Sequence, residues 1–243
     1  MRTPLAAVAL ILAASTQAAD SGSKMPGEGE LRRLEAQYAP VDLLVDVSKL
    51  PEGDRQALVR LIEASQVVDA LYLRQEWAGA DAMLLSLLDD PTPLGRARLA
   101  FFLRNKGPWD RLDHDRVFVP GAPPKPEAGT FYPPGATKDE IGRWTASLPE
   151  KERAAASGFF TVIRRTPAGL AAVPYSVEYQ SELFLAAAKL REAAQATTEP
   201  TLRRFLELRA AALLSDDYYA SDVAWMEIDA AVEPTFGPYE TYE

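Results

Sequence analysis

Residues 51–79 read PEGDRQALVRLIEASQVVDALYLRQEWAG, and the spacing of their apolar positions sets the fold class. Leu58, Leu61, Ile62, Val68, Leu71 and Tyr72 recur every three or four residues toward Trp77, the period that gathers side chains on one face of a helix. Pro51 suits the opening of such a helix, and Glu52 and Asp54 place negative charge at its positive end. Gly79 ends the pattern. Two shorter helical stretches follow, Asp81 to Leu88 and Pro93 to Asn105, the latter carrying Leu99, Phe101, Phe102 and Leu103.

The same period returns late in the chain. Ser176 to about Ala196 repeats Leu183, Ala187, Leu190 and Ala194, while Pro200 to about Leu214 repeats Phe205, Leu208 and Ala212, so each predicts one buried stripe. Ser215 to Met226 is read as continuing helical. Strand signals are few: FFTVIR (159–164) and LAAVP (170–174) flank Thr166-Pro167-Ala168-Gly169 and predict a hairpin over about 158–174. An extended segment over about 231–241 holds Pro234 and Pro238, which confine it to a sheet edge. The fold class expected is α+β, a predominantly helical lobe with a small β component.

Between these blocks, Gly107 to Gly135 carries seven prolines and four glycines with little periodicity. A loop of that length inside a domain is either functional or pinned by aromatic anchors, for which Trp109, Phe118, Phe131 and Tyr132 are the candidates. Thr137 followed three residues later by Glu140 spells a capping box for a helix reaching about Ser147.

The N-terminus has a different character. Arg2, the apolar run LAAVALILAA (5–14) and small residues up to Ala18 match a signal peptide cleaved after residue 18, and the run is about half the roughly 20 residues a membrane span requires. The expected organisation is a signal peptide over 1–18, a flexible leader over 19–29 and a helical lobe over 30–243, with the mature protein periplasmic or secreted. Cleavage leaves no membrane partner.

Composition excludes several chemistries. Among 243 residues there is one His, His114, and no Cys, so the chain has neither a disulfide framework nor the paired imidazoles of an H-E-x-x-H zinc helix. A net charge of −9 without a Lys/Arg cluster argues against a nucleic-acid partner. DRLDHD (110–115) invites a metal reading but lacks the glycine and terminal Glu of an EF-hand loop, so turn capping and pairing with Arg111 and Arg116 are expected. SDDYYASD (215–222) is read chiefly as caps and packed tyrosines, and a sugar- or peptide-binding surface is its alternative. Arg74 and Trp77 are expected to be an ion pair and a core aromatic.

Five stretches together carry a resemblance: LYLRQEWAG (71–79), GPWDRL (107–112), Phe131-Tyr132-Pro133, LLSDDYYASDVAW (213–225) and GPYETY (237–242). In order and spacing they resemble the N-terminal half of bacterial zinc hydrolases of the dipeptidyl peptidase III type. The resemblance implies that Glu240 binds the free amino end of a peptide substrate. It also implies that Tyr242 donates a hydrogen bond to the carbonyl oxygen that becomes negative as water attacks. Zinc, in the intact relative, is held by an H-E-x-x-H-type helix and a downstream Glu beyond the matched E-T-Y element, so no metal ligand is expected in this chain. The implied partners are a peptide substrate and a missing C-terminal lobe, and the chain by itself is expected to be inactive.

The rival expectation is a self-sufficient, non-enzymatic periplasmic helical binding or interaction protein. Apolar exposure separates the two, because a lobe lacking its other half exposes a contiguous apolar patch that a complete module does not.

Overall fold

A computed structural model describes residues 25–237. Helix α1 (Glu28–Glu35) is followed by a 3-10 turn (Val47–Lys49), α2 (Glu52–Glu76), α3 (Ala80–Leu88) and α4 (Pro93–Asn105). A two-residue ladder then pairs β1 (Trp109–Asp110) with β2 (Arg116–Val117). Helices α5 (Lys138–Ser147) and α6 (Glu150–Ala156) precede the antiparallel hairpin of β3 (Thr161–Thr166) and β4 (Gly169–Pro174). The helices α7 (Tyr175–Glu178), α8 (Gln180–Ala196), α9 (Pro200–Ser215) and α10 (Tyr219–Met226) complete the order. The class is α+β and helix-dominated, as expected. No helix among the described residues is long and apolar enough to cross a membrane.

The main core forms where α2, α8 and α9 meet. Ala57, Leu61, Ala64 and Leu71 of α2 face Leu183, Ala187, Leu190 and Ala194 of α8, and Leu202, Phe205, Leu206 and Leu213 of α9 close the other side. The small residues decide how near the helices lie: a Cβ added at Gly53 would overlap the Ala196 carbonyl, so the N-terminal end of α2 sits against the end of α8. Buried Asp54 fixes that junction by accepting from Thr197 Oγ1 at 2.6 Å and Thr198 N at 3.0 Å. Arg203 reaches back to the Ala194 and Thr197 carbonyls, groups left without partners where α8 ends.

A second cluster lies beyond the C-terminal part of α2. Leu31 of α1, Leu73 of α2, Leu87 of α3, Phe101 and Phe102 of α4, and Phe118 pack together, with the Phe101 and Phe118 rings 4.7 Å apart. Helix α2 therefore serves both clusters with opposite faces: Leu71 and Leu73, two positions and so about 200° apart around the helix, enter the main core and the second cluster respectively.

Three expectations change. The helix predicted from Ser215 to Met226 is interrupted at Asp216–Tyr218, with Asp216 left-handed at φ 59°. Its carboxylate is drawn across to α7, accepting from Ser176 N at 3.0 Å and Ser176 Oγ at 2.5 Å, a bond that a helical Asp216 would forgo. The capping box at α5 is half made: Thr137 Oγ1 accepts from Glu140 N, while the Glu140 carboxylate pairs with Arg165 of the hairpin at 2.8 Å. The extended segment of 231–241 is, over its described part to 237, paired in no sheet. It is instead a stem laid on the main core, with Phe236 buried and Ile228, Ala230 and Val232 packed against the same cluster.

Candidate functional site

Where α2 ends, the chain assembles a polar joint from five segments distant in sequence. The last carbonyls of a helix lack intrahelical partners. Here Thr130 supplies them, its N–H donating to Gln75 O at 2.7 Å and its hydroxyl reaching Arg74 O at 3.0 Å. Gly129 makes the approach possible: its φ is +51°, and a Cβ there would overlap the Gln75 carbonyl oxygen. The segment then runs along the hairpin, Ile163 N donating to Phe131 O at 2.8 Å and Arg164 Nη1 to Thr130 O at 2.8 Å.

Two arginines and two glutamates lock this joint. Arg74 lies 2.5 Å from Glu182 and donates to the Glu178 carbonyl at 3.3 Å, while Arg164 donates twice to the Glu178 carboxylate, at 2.7 and 3.1 Å. The Arg74 guanidinium also rests over the Tyr179 ring, 5.4 Å from its centroid. Burial pushes the Tyr175 and Tyr179 phenols up from their ordinary value, so both stay neutral. Burial likewise raises Asp216, against the lowering pull of its Ser176 hydrogen bonds.

Beside the joint lies a cleft of about 430 Å³, lined in part by Glu76, Asp115, Lys125, Gly129 and Phe131. Lys125 sits between two carboxylates, 3.8 Å from Glu76 and 3.5 Å from Asp115. Lys125 offsets only part of this negative charge, since Glu127 also lines the cleft, and no serine, threonine, cysteine or histidine is among the lining residues. The cleft braces the irregular segment to α2.

The aromatic anchors divide. Trp109 and Phe118 are buried, and Phe131 is half-buried and stacks on Tyr175, whereas Tyr132 is exposed. The loop 110–115 caps its own turn, since Asp110 Oδ1 accepts from Leu112 N and Asp113 pairs with Arg116 at 2.8 Å. Arg111 donates to Tyr72 Oη at 2.7 Å. His114 is exposed and left-handed at φ 51°. Among the described residues, no three His, Cys, Asp or Glu side chains stand together as a metal-binding group. In the 215–222 stretch the expectation is met only in part: Tyr218 is buried, but Tyr219 is exposed and the N-cap of α10 makes no side-chain capping bond, while Asp222 pairs with buried Arg209 at 2.6 Å and Ser221 bonds the Tyr218 carbonyl. Arg74 forms the expected ion pair, and half-buried Trp77 packs edge-on against Trp109 at 5.8 Å.

Glu240 and Tyr242 lie outside the described residues. What the structure describes is the stem that leads to them, held on the main core as far as Phe236.

No family model matches the chain. Among solved structures, it is similar to dipeptidyl-peptidase III from Corallococcus sp. strain EGB, with 56% identity and a TM-score of 0.86 over 88% of this chain. The chain is dipeptidyl-peptidase III-like. A second structure, DPP III from Caldithrix abyssi, agrees at 39% identity and a TM-score of 0.78 over 82% of the chain. This dipeptidyl-peptidase III-like chain spans only 40% and 37% of those two proteins. It is also 32% identical over 263 residues to Nudix hydrolase 3 of Arabidopsis thaliana, matching 88% of this chain and 34% of that protein.

The Arg74–Glu182 and Arg164–Glu178 joint escaped sequence reading because its members sit on α2, β3, α7 and α8 with no common spacing. Gly129-Thr130 ahead of Phe131 was its one local trace. Gly129→Ala should detach the irregular segment from α2. The left-handed backbone alone costs about 1–2 kcal/mol, and the Gln75 overlap adds to it, so Tm should fall by about 4–8 °C for a chain of this size. Gly121, with φ +84° and open space around it, is the control. Gly121→Ala should cost less, and equal losses in the two variants would show that the Gln75 contact does not matter.

Proposed function

We propose that this chain forms one part of an exported, zinc-dependent dipeptidyl-peptidase III-like enzyme that cleaves peptides near a free amino end. The observation that carries the reading is the 56% identity to the Corallococcus dipeptidyl-peptidase III, sustained over 88% of this chain but only 40% of that protein. In this reading Glu240 holds the substrate's ammonium group. Tyr242 donates to the carbonyl oxygen as negative charge develops on it, and a donor placed where charge appears lowers the barrier. The buried stem ending at Phe236 supports the assignment, because residues that select and polarise a substrate work only when their backbone is held in place.

The metal would be bound by the part of the enzyme that this chain does not include, and zinc would supply Lewis-acid chemistry there. The chain alone is therefore inactive. Residues 1–18 act as an export leader, which makes the mature protein periplasmic or secreted.

The test compares the mature chain with a single polypeptide in which it continues into the part of the Corallococcus protein that the match leaves uncovered. Elemental analysis after dialysis should find zinc in stoichiometric amount only in the joined protein, which alone should hydrolyse unblocked peptides. One tightly held zinc in the chain by itself would overturn the reading, as would a folded, zinc-loaded joined protein without peptidase activity. Export of the full-length chain should remove 18 residues, and an intact mass retaining Met1 would reject the leader.

A further inference from the structure

Between α1 and the 3-10 turn, residues 39–46 belong to no helix or strand, and their apolar side chains face solvent. Val41, Leu43, Leu44 and Val45 are 74%, 88%, 91% and 79% exposed, the most concentrated apolar exposure among the described residues. In extended backbone, Val41, Leu43 and Val45 fall on one face. Among the described residues, no backbone N–H or C=O of residues 39–46 takes part in a backbone hydrogen bond. Solvated linkers are poor in such residues, and an unpaired apolar strand invites another chain.

Both ends of this strap are fixed. Leu31 anchors α1 in the second cluster. At the other end Asp46 caps Ser48 N at 2.9 Å, and Arg55 donates to the Leu50 carbonyl at 3.2 Å. The segment is presented at a set place on the lobe, with its backbone donors and acceptors in no backbone hydrogen bond among the described residues.

We propose that Val41–Val45 is one strand of a sheet whose neighbouring strand comes from the rest of the dipeptidyl-peptidase III-like polypeptide. The inference rests on the proposed function, and the occupant follows from coverage: the two similar structures contain this fold as 40% and 37% of their chains. The remaining three fifths of such a protein need a surface to pack on. This strap offers four apolar side chains and its backbone donors and acceptors for that purpose.

The joined polypeptide described above tests the idea by hydrogen exchange at the 41–45 amides. They should exchange at least about 100-fold more slowly in the joined protein than in the chain alone, as amides of a paired strand do. The double variant Leu43→Lys/Val45→Lys should abolish that protection and lower the Tm of the joined protein, while leaving the Tm of the chain alone unchanged. An active joined protein whose 41–45 amides exchange at the rate of the free chain would overturn this inference and leave the proposed function standing. A folded joined protein lacking zinc and activity would overturn both. If the chain alone dimerised with those amides protected, the occupant would be a second copy, and the proposal would be wrong.

Discussion

In the joined enzyme, Tyr242→Phe is expected to lower kcat by about 10² to 10³, the loss typical of removing one oxyanion donor. If Tyr242 donates to the carbonyl oxygen as proposed, that bond strengthens as the oxygen gains charge, so the interaction belongs to the transition state and KM should move little. Glu240→Gln should behave differently. A carboxylate facing the substrate's ammonium group acts in the ground state as well, so its removal should chiefly raise KM, with a smaller loss for substrates whose amino end is blocked. Steady-state kinetics on blocked and unblocked peptides separate the two roles. Parental kinetics in both variants would remove Glu240 and Tyr242 from the site.

Phe205→Ala is expected to cost about 3–5 kcal/mol of stability, because a fully buried aromatic leaves a cavity that α2, α8 and α9 cannot close around. Tm should fall by about 6–20 °C in a chain of this length. Phe236→Ala removes a comparable side chain from the same cluster with a different consequence. Phe236 ends the stem, so its loss should unfasten residues 227–237 locally while the helices keep most of their Tm. Limited proteolysis should then cut within the stem of the Phe236 variant first. A Phe236→Ala protein that resisted protease as well as the parent would show that the stem is held by other contacts.

The long helix through Leu61 and Leu71, the stripes of α8 and α9, and the hairpin over 161–174 were legible in the sequence because their periodicity is local. A side chain's face in a helix or strand depends on neighbours three, four or two positions away. The resemblance was legible for a related reason, since five short stretches kept their order and spacing. What could not be read was any pairing across the chain. Asp216 looks like a helical residue until Ser176, forty positions earlier, lies beside it and draws it into a left-handed turn. Glu140 looks like half of a capping box until Arg165 competes for its carboxylate. Pro234 marks an edge strand by composition, yet burial of Phe236 on the main core makes that segment a stem.

The candidate site divides along the same line. Glu240 and Tyr242 were assigned by resemblance alone, from a six-residue match. The joint of Arg74, Glu182, Arg164 and Glu178, which fixes the irregular segment beside the end of α2, exists only where four elements converge. By itself the sequence determined the long helices α2, α8 and α9, the hairpin, the absence of cysteine and the single histidine, because each is a property of one residue or one local repeat. Tertiary structure alone decided which carboxylate meets which guanidinium, where α9 stops and that Val41–Val45 stands uncovered, because those outcomes depend on what packing places within a few ångströms of a group.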